Sequence, residues 1–110
     1  MGKVPLPPST TIIIEGQGTH LHEDCLEFDD ILFILFEADG FLDASASAGI
    51  FQPDIPSGYF PIGNMIGPFR PLQDDTQFVL TFFDTDNNTF YFDTICIKDD
   101  CSKGCSEGTT

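Results

Sequence analysis

The side chains with the most reactive chemistry in this sequence are four cysteines, Cys25, Cys96, Cys101 and Cys105, and two histidines, His20 and His22. An even number of thiols in a short acidic chain that also carries the sequon Asn87-Asn88-Thr89 predicts disulfides, and with them an oxidising, secreted or cell-surface location. Three pairings are open. Joining Cys25 to Cys96 closes a long loop, which constrains the unfolded chain, and leaves Cys101 and Cys105 to close a short one. The competing use is zinc, because His20-x-His22-x-x-Cys25 puts two imidazoles on one strand face and a late cysteine would complete a tetrahedron. The late cysteines lack the tight C-x-x-C spacing of common zinc motifs, so disulfides are the preferred reading.

Asp84-Thr85-Asp86-Asn87-Asn88 sets oxygen-bearing side chains at alternate positions, as at the start of a calcium loop. The EF-hand pattern then fails: Thr89 stands where glycine belongs and Ile95 where the bidentate glutamate belongs. Asp84, Asp86 and Asn88 remain candidate calcium ligands in a shorter β-type loop, with an Asx-rich hairpin turn as the simpler alternative. Paired carboxylates are too numerous to single out a catalytic dyad, and Asp29-Asp30 and Asp74-Asp75 read as solvated strand ends. No Gly-x-Ser-x-Gly, phosphate loop or His-Glu-x-x-His occurs, so no enzyme is expected. Tyr59, Phe60 and Phe69 lie in a Pro/Gly-rich stretch. Rings on a rigid loop stack on sugar or peptide at little entropic cost, which makes these three the candidate ligand-facing residues; core plugs would be equally ordinary.

What must position these groups is a single small domain, since 110 residues support one core. Residues 1–11, with Pro5, Pro7 and Pro8, read as an extended arm, residues 12–100 as the domain and 101–110 as a cysteine-bearing tail. Ile12-Ile13-Ile14 is a β-branched strand that Gly16-Gln17-Gly18 could fold back onto Thr19–His22. Ile31–Phe36 is a continuous apolar run whose period is ambiguous. Asp39-Gly40 after it is the dipeptide of a type I′ turn, and Leu42, Ala44, Ala46, Ala48 and Ile50 alternate with small polar residues beyond, which predicts a hairpin. Gln77–Phe83 and Thr89–Ile97 around the Asp-rich loop predict a second. Shifting the chain by 45 residues lays Asp29, Asp30, Phe33, Leu35, Asp39, Ile50 and Asp54 on Asp74, Asp75, Phe78, Leu80, Asp84, Ile95 and Asp99, which suggests an internal repeat. The expected fold is all-β: a small two-layer sandwich or β-prism-like module built from two hairpin pseudo-repeats. Its second hairpin carries Phe on both faces, so either both sides are covered or a neighbouring molecule covers one.

Between the hairpins, Phe51, Pro53, Pro56, Gly58, Tyr59, Ile62 and Gly63 fall in the order aromatic-x-Pro, Pro-x-Gly-aromatic, aliphatic-Gly. On these residues, positions 31–66 resemble the repeat of the vacuolar-protein-sorting family numbered sixty-two. The chain has Phe51 where that repeat usually has Trp and Asn64 where it has Asp, and it shows no second Pro-Gly-Tyr stretch. The resemblance implies a β-rich module of pseudo-repeats with no enzymatic activity and a general association with trafficking or surface binding.

Eighteen Asp and Glu against four Lys and Arg give a net charge of −14, which opposes the phosphate contacts that nucleic-acid binding depends on. Nucleic acid and anionic membrane surfaces are poor partners. No apolar stretch is long enough to span a bilayer as a helix, and Met1–Pro5 lacks the run of a signal peptide, so a soluble or already processed chain is expected. The function expected is a non-catalytic, secreted or surface-exposed β-module with a structural or binding role toward carbohydrate or protein, with calcium as an optional cofactor. The alternative is a filament subunit whose arm, Val4–Thr11, and strand, Thr11–Glu15, add to a sheet edge of the next copy.

Overall fold

A computed structural model describes residues 10–15, 25–45 and 48–99. The arm residues 1–9, His20 and His22, Cys101 and Cys105 lie outside the described residues. The strands are β1 (Thr10–Glu15), β2 (Cys25–Glu27), β3 (Ile31–Phe36), β4 (Gly40–Asp43), β5 (Phe51–Gln52), β6 (Gly58–Phe60), β7 (Met65–Pro71), β8 (Thr76–Asp84) and β9 (Thr89–Lys98). They form two sheets, one ordered β1-β3-β7-β5 and the other β2-β9-β8-β4-β6. The all-β, two-layer expectation holds.

Alternation sets the layers. On β3, Leu32, Ile34 and Phe36 are buried while Ile31, Phe33 and Leu35 are half-buried on the opposite face, which resolves the ambiguous run as a strand. On β8, Phe78, Leu80 and Phe82 point inward. The two inner faces meet through rings: Phe36 lies 5.5 Å from Phe82, and Phe51 meets Phe78 edge-on at 5.0 Å. Each fully buried Phe, Leu or Ile contributes roughly 1.5–3 kcal/mol relative to exposure, so this seam is the main source of stability.

The β8–β9 ribbon is the expected second hairpin, in register from Thr76↔Ile97 to Asp84↔Thr89 around a four-residue loop. The first expected hairpin is not formed. β3 pairs with β1 and β7, and β4 with β8 and β6, so at residues 37–39 the chain crosses from one sheet to the other. The corner is fixed from outside the dipeptide. The Asp39 carboxylate accepts the Ile62 N–H, and its carbonyl accepts the N–H and hydroxyl of Thr85, each at 3.1 Å. Gly40 does not have the positive φ that a type I′ turn needs; it is buried in β4. Beyond Asp43 the alternating pattern breaks up: Ala44 is buried, Ala48 is exposed in a turn and Ala46 lies outside the described residues.

The pseudo-repeat fails for the same reason. The shift lays Phe33 and Leu35, on the outer face of β3, over Phe78 and Leu80, on the inner face of β8. A repeated unit keeps the parity of its faces, and this one does not. Asp30 is also not a solvated strand end. It is buried, and its Oδ2 accepts the Glu27 N–H at 2.8 Å across the turn between β2 and β3.

β1 occupies the edge of its sheet beside β3 of the same chain, from Thr10↔Phe36 to Glu15↔Ile31. The strand therefore begins within the stretch assigned to the arm. Cys25 and Cys96 are opposed in the parallel β2–β9 pair; both are buried and both are disulfide-bonded. A disulfide sulfur is not a zinc thiolate, so in this state Cys25 does not complete the proposed zinc set. The pairing expectation involves Cys101 and Cys105, which lie outside the described residues.

Candidate aromatic binding face

The outer face of the five-stranded sheet carries a row of rings. Register places Phe90 of β9 opposite Phe83 of β8, Phe83 opposite Phe41 of β4, and Phe41 opposite Tyr59 of β6. Four neighbouring strands thus each give one aromatic side chain to the same lateral line. Three strand spacings of about 4.8 Å make that line about 14 Å long. Phe83 and Phe90 lie 4.7 Å apart, and Phe92 extends the row sideways, near-parallel to Phe90 at 6.4 Å. The rings are open to solvent, with Phe41 47%, Tyr59 57%, Phe90 60% and Phe92 68% exposed and Phe83 half-buried between them. Among the described residues the outer face of the other sheet presents no comparable row: Phe33 stands opposite Ile13, and the Gly67 backbone lies against it.

Carboxylates border the row. Asp43 sits one step along β4 from Phe41 on the same face, exposed, and its Oδ1 accepts the Ser45 N–H at 3.1 Å. That bond and the Ser45 hydroxyl hold its pKa below the usual carboxylate value. At the other end, partial desolvation, a hydrogen bond to Asp39, and the charges of Asp39 and Asp86 raise the Tyr59 phenol above its ordinary value. We expect an ultraviolet titration to show a phenol ionising above the usual range of about 10, and Asp39→Asn to bring it down. The sign for stability follows from the fold favouring the neutral phenol. This contribution is present below the ordinary phenol pKa and is lost as pH rises, because the unfolded chain ionises first. A phenol titrating identically in both proteins would remove Asp39 from the site.

Of the ring residues expected from sequence to face a ligand, only Tyr59 lies exposed on an outer sheet face. Phe69 is buried beside Phe51, with centroids 6.5 Å apart, and Phe60 is half-buried, stacked on Phe36 at 4.4 Å. Alternation along β6 turns Phe60 inward, and Phe69 is turned inward by the register shift in the β3–β7 pairing between Leu32 and Ile34. Phe83, Phe90 and Phe92 belong to the hairpin whose two Phe-bearing faces the sequence shows, without marking these rings as ligand-facing, and Phe41 carries no such mark. The signal for three of them was present, since a four-residue loop between Asp84 and Thr89 puts Phe83 opposite Phe90 and leaves Phe92 on that face. Phe41 and Tyr59 join only through pairings of strands distant in sequence.

The candidate calcium loop is built as a capped turn. Asp84 is buried, its Oδ1 accepts the N–H groups of Asp86 and Asn87 at 2.9 and 3.2 Å, and its Oδ2 accepts Asn87 Nδ2 at 2.9 Å. Asp86 and Asn88 are exposed, and Asn88 takes a positive φ of 57° to close the loop. Among the described residues no three His, Cys, Asp or Glu side chains converge as a metal site. Asp84→Ala strips the loop of this acceptor. We expect a loss of roughly 1–3 kcal/mol in thermal unfolding. If Asp84 serves the turn alone, the native melting temperature is the same in millimolar calcium and in chelator, because a native-state ligand would raise it by mass action. A calcium-dependent rise would reverse this assignment of Asp84.

Compared with known proteins, the chain matches no family model, no curated protein and no solved structure.

Proposed function

We propose that this chain is a non-catalytic binding module of a secreted or cell-surface protein, and that the aromatic row is its binding face. The observation that carries the reading is the line Phe90–Phe83–Phe41–Tyr59, contributed by four adjacent strands and left in water. Isolated exposed apolar side chains need no explanation, but a contiguous aromatic strip marks a surface that another molecule covers. Burying a ring gains on the order of 1.5–3 kcal/mol, and rings held by sheet register lose little side-chain freedom on contact. The oxidised Cys25 and Cys96 and the exposed sequon residue Asn87 support an extracellular setting. The resemblance of residues 31–66 to the sorting-family repeat points the same way, toward surface binding without catalysis.

The test is two-dimensional NMR of the full chain against defined soluble probes: neutral oligosaccharides, and cationic and anionic peptides. Binding should perturb amides of residues 41, 59, 83, 90 and 92 and be lost in a Phe41→Ala/Phe90→Ala double variant. Perturbations confined to other surfaces, or undiminished binding by the double variant, would show that the row is not the binding face.

A further inference from the structure

We infer that the partner seated on the aromatic row is cationic, a Lys- or Arg-bearing segment of another protein. This rests on the row being the binding face and identifies what that face selects. Three observations carry it.

The first is charge. The chain carries −14, and among the described residues the row has no cation of its own. Of the basic side chains among the described residues, Arg70 belongs to the opposite sheet, and Lys98, at the far end of β9, is paired with Asp75 at 3.0 Å. The second is placement. Asp43 lies on the same exposed face as Phe41, one pleat along β4, and the bonds of Thr85 to the Asp39 carbonyl hold the Asp86-bearing loop against the corner that enters β4, so acceptor-only carboxylates stand beside exposed rings. The third is the ring chemistry. A guanidinium or ammonium over an aromatic face is attracted by the ring quadrupole, and a carboxylate beside that ring adds a charge-assisted hydrogen bond to the same cation. A neutral saccharide would stack on the rings without using the field around them. A second copy of this chain would bring like-charged surfaces together, an arrangement that association strongly disfavours.

The field also predicts the kinetics. A cationic segment is drawn in by long-range attraction, so its association rate falls steeply as salt rises, while contact with the rings governs how slowly it leaves.

The experiment uses the full chain and a fluorescein-labelled peptide alternating Arg and Ser, with an alternating Gln and Ser peptide as the uncharged control and a neutral β-linked hexasaccharide as the competing ligand. Anisotropy is read at low and at physiological salt. The Arg peptide should bind and the Gln peptide should not. Two charge-neutral ring substitutions, Phe41→Ala and Phe90→Ala together, should weaken the Arg peptide by about ten-fold or more. Asp39→Asn/Asp86→Asn should weaken it far more than Asp29→Asn/Asp74→Asn, which removes the same charge at exposed positions away from the row. Circular dichroism of each variant confirms that it folds. Loss of affinity that tracks total charge and ignores the rings would show general attraction to an acidic protein and overturn the inference. Ring-dependent binding of the hexasaccharide without ring-dependent binding of the peptide would also overturn it while leaving the binding face intact. If neither probe depends on the rings, the binding face itself fails.

Discussion

Gly40→Ala should melt far below the native protein. Gly40 lies in β4 opposite Asp84, and a Cβ there would stand 2.3 Å from the Phe82 ring and 2.3 Å from the Phe83 carbonyl oxygen. Neither neighbour can yield easily. The carbonyl belongs to the β8 backbone, and the Phe82 ring is fully buried against Phe36. Overpacking of this kind typically costs about 1–3 kcal/mol and more when backbone must move, so we expect the upper end or beyond. At about 4–8 °C per kcal/mol for a domain near this size, the melting temperature should fall by more than about 10 °C. Gly49→Ala is the control. Gly49 has φ of 81° but nothing within 4 Å of a built Cβ, so it bears only the conformational penalty of about 1–2 kcal/mol. If Gly40→Ala melts no lower than Gly49→Ala in a circular dichroism scan, β4 and β8 do not approach as closely as described.

Gly40 also shows where sequence reading reached and where it stopped. Beside Asp39, the residue type suggested a left-handed turn, the commonest local use of glycine. Its use here is non-local, to let β4 press against Phe82, and no local pattern distinguishes the two. The β8–β9 hairpin was legible because its register is set by a short loop and two alternating strands next to each other in sequence. The β3-to-β4 crossing was not legible, because it depends on Asp39 reaching residues 62 and 85. The aromatic row divides along the same line. Phe83, Phe90 and Phe92 followed from the hairpin, whereas Phe41 and Tyr59 needed the order β9-β8-β4-β6. Phe60 and Phe69 were indistinguishable from Tyr59 by composition alone, since what separates them is the face each strand position presents. Asp84 was legible as an oxygen-rich turn, but its burial, with both oxygens accepting from loop N–H groups, was not.

The same Phe→Ala change on the two faces of this sandwich should therefore have opposite consequences. Phe36 is fully buried, stacks on Phe60 at 4.4 Å and meets Phe82 at 5.5 Å, bridging the sheets. Removing its ring leaves a cavity whose walls are strands held in register by hydrogen bonds, so they cannot collapse into it. The expected cost is about 3–5 kcal/mol. Against a total stability of 5–15 kcal/mol typical of such domains, that leaves the variant partly unfolded at ordinary temperature or melting far lower. Phe41, open to solvent and opposite Phe83 and Tyr59 in register, should lose less than about 1 kcal/mol as alanine, the scale of one cross-strand pair. Phe60→Ala decides between the two readings of that residue. As a partner of Phe36 it should destabilise by an intermediate amount and leave ring-dependent binding untouched wherever the variant is folded. A Phe60→Ala protein with native stability and lost binding would return that ring to the ligand, and would mean that the row ends one residue further along β6 than the register places it.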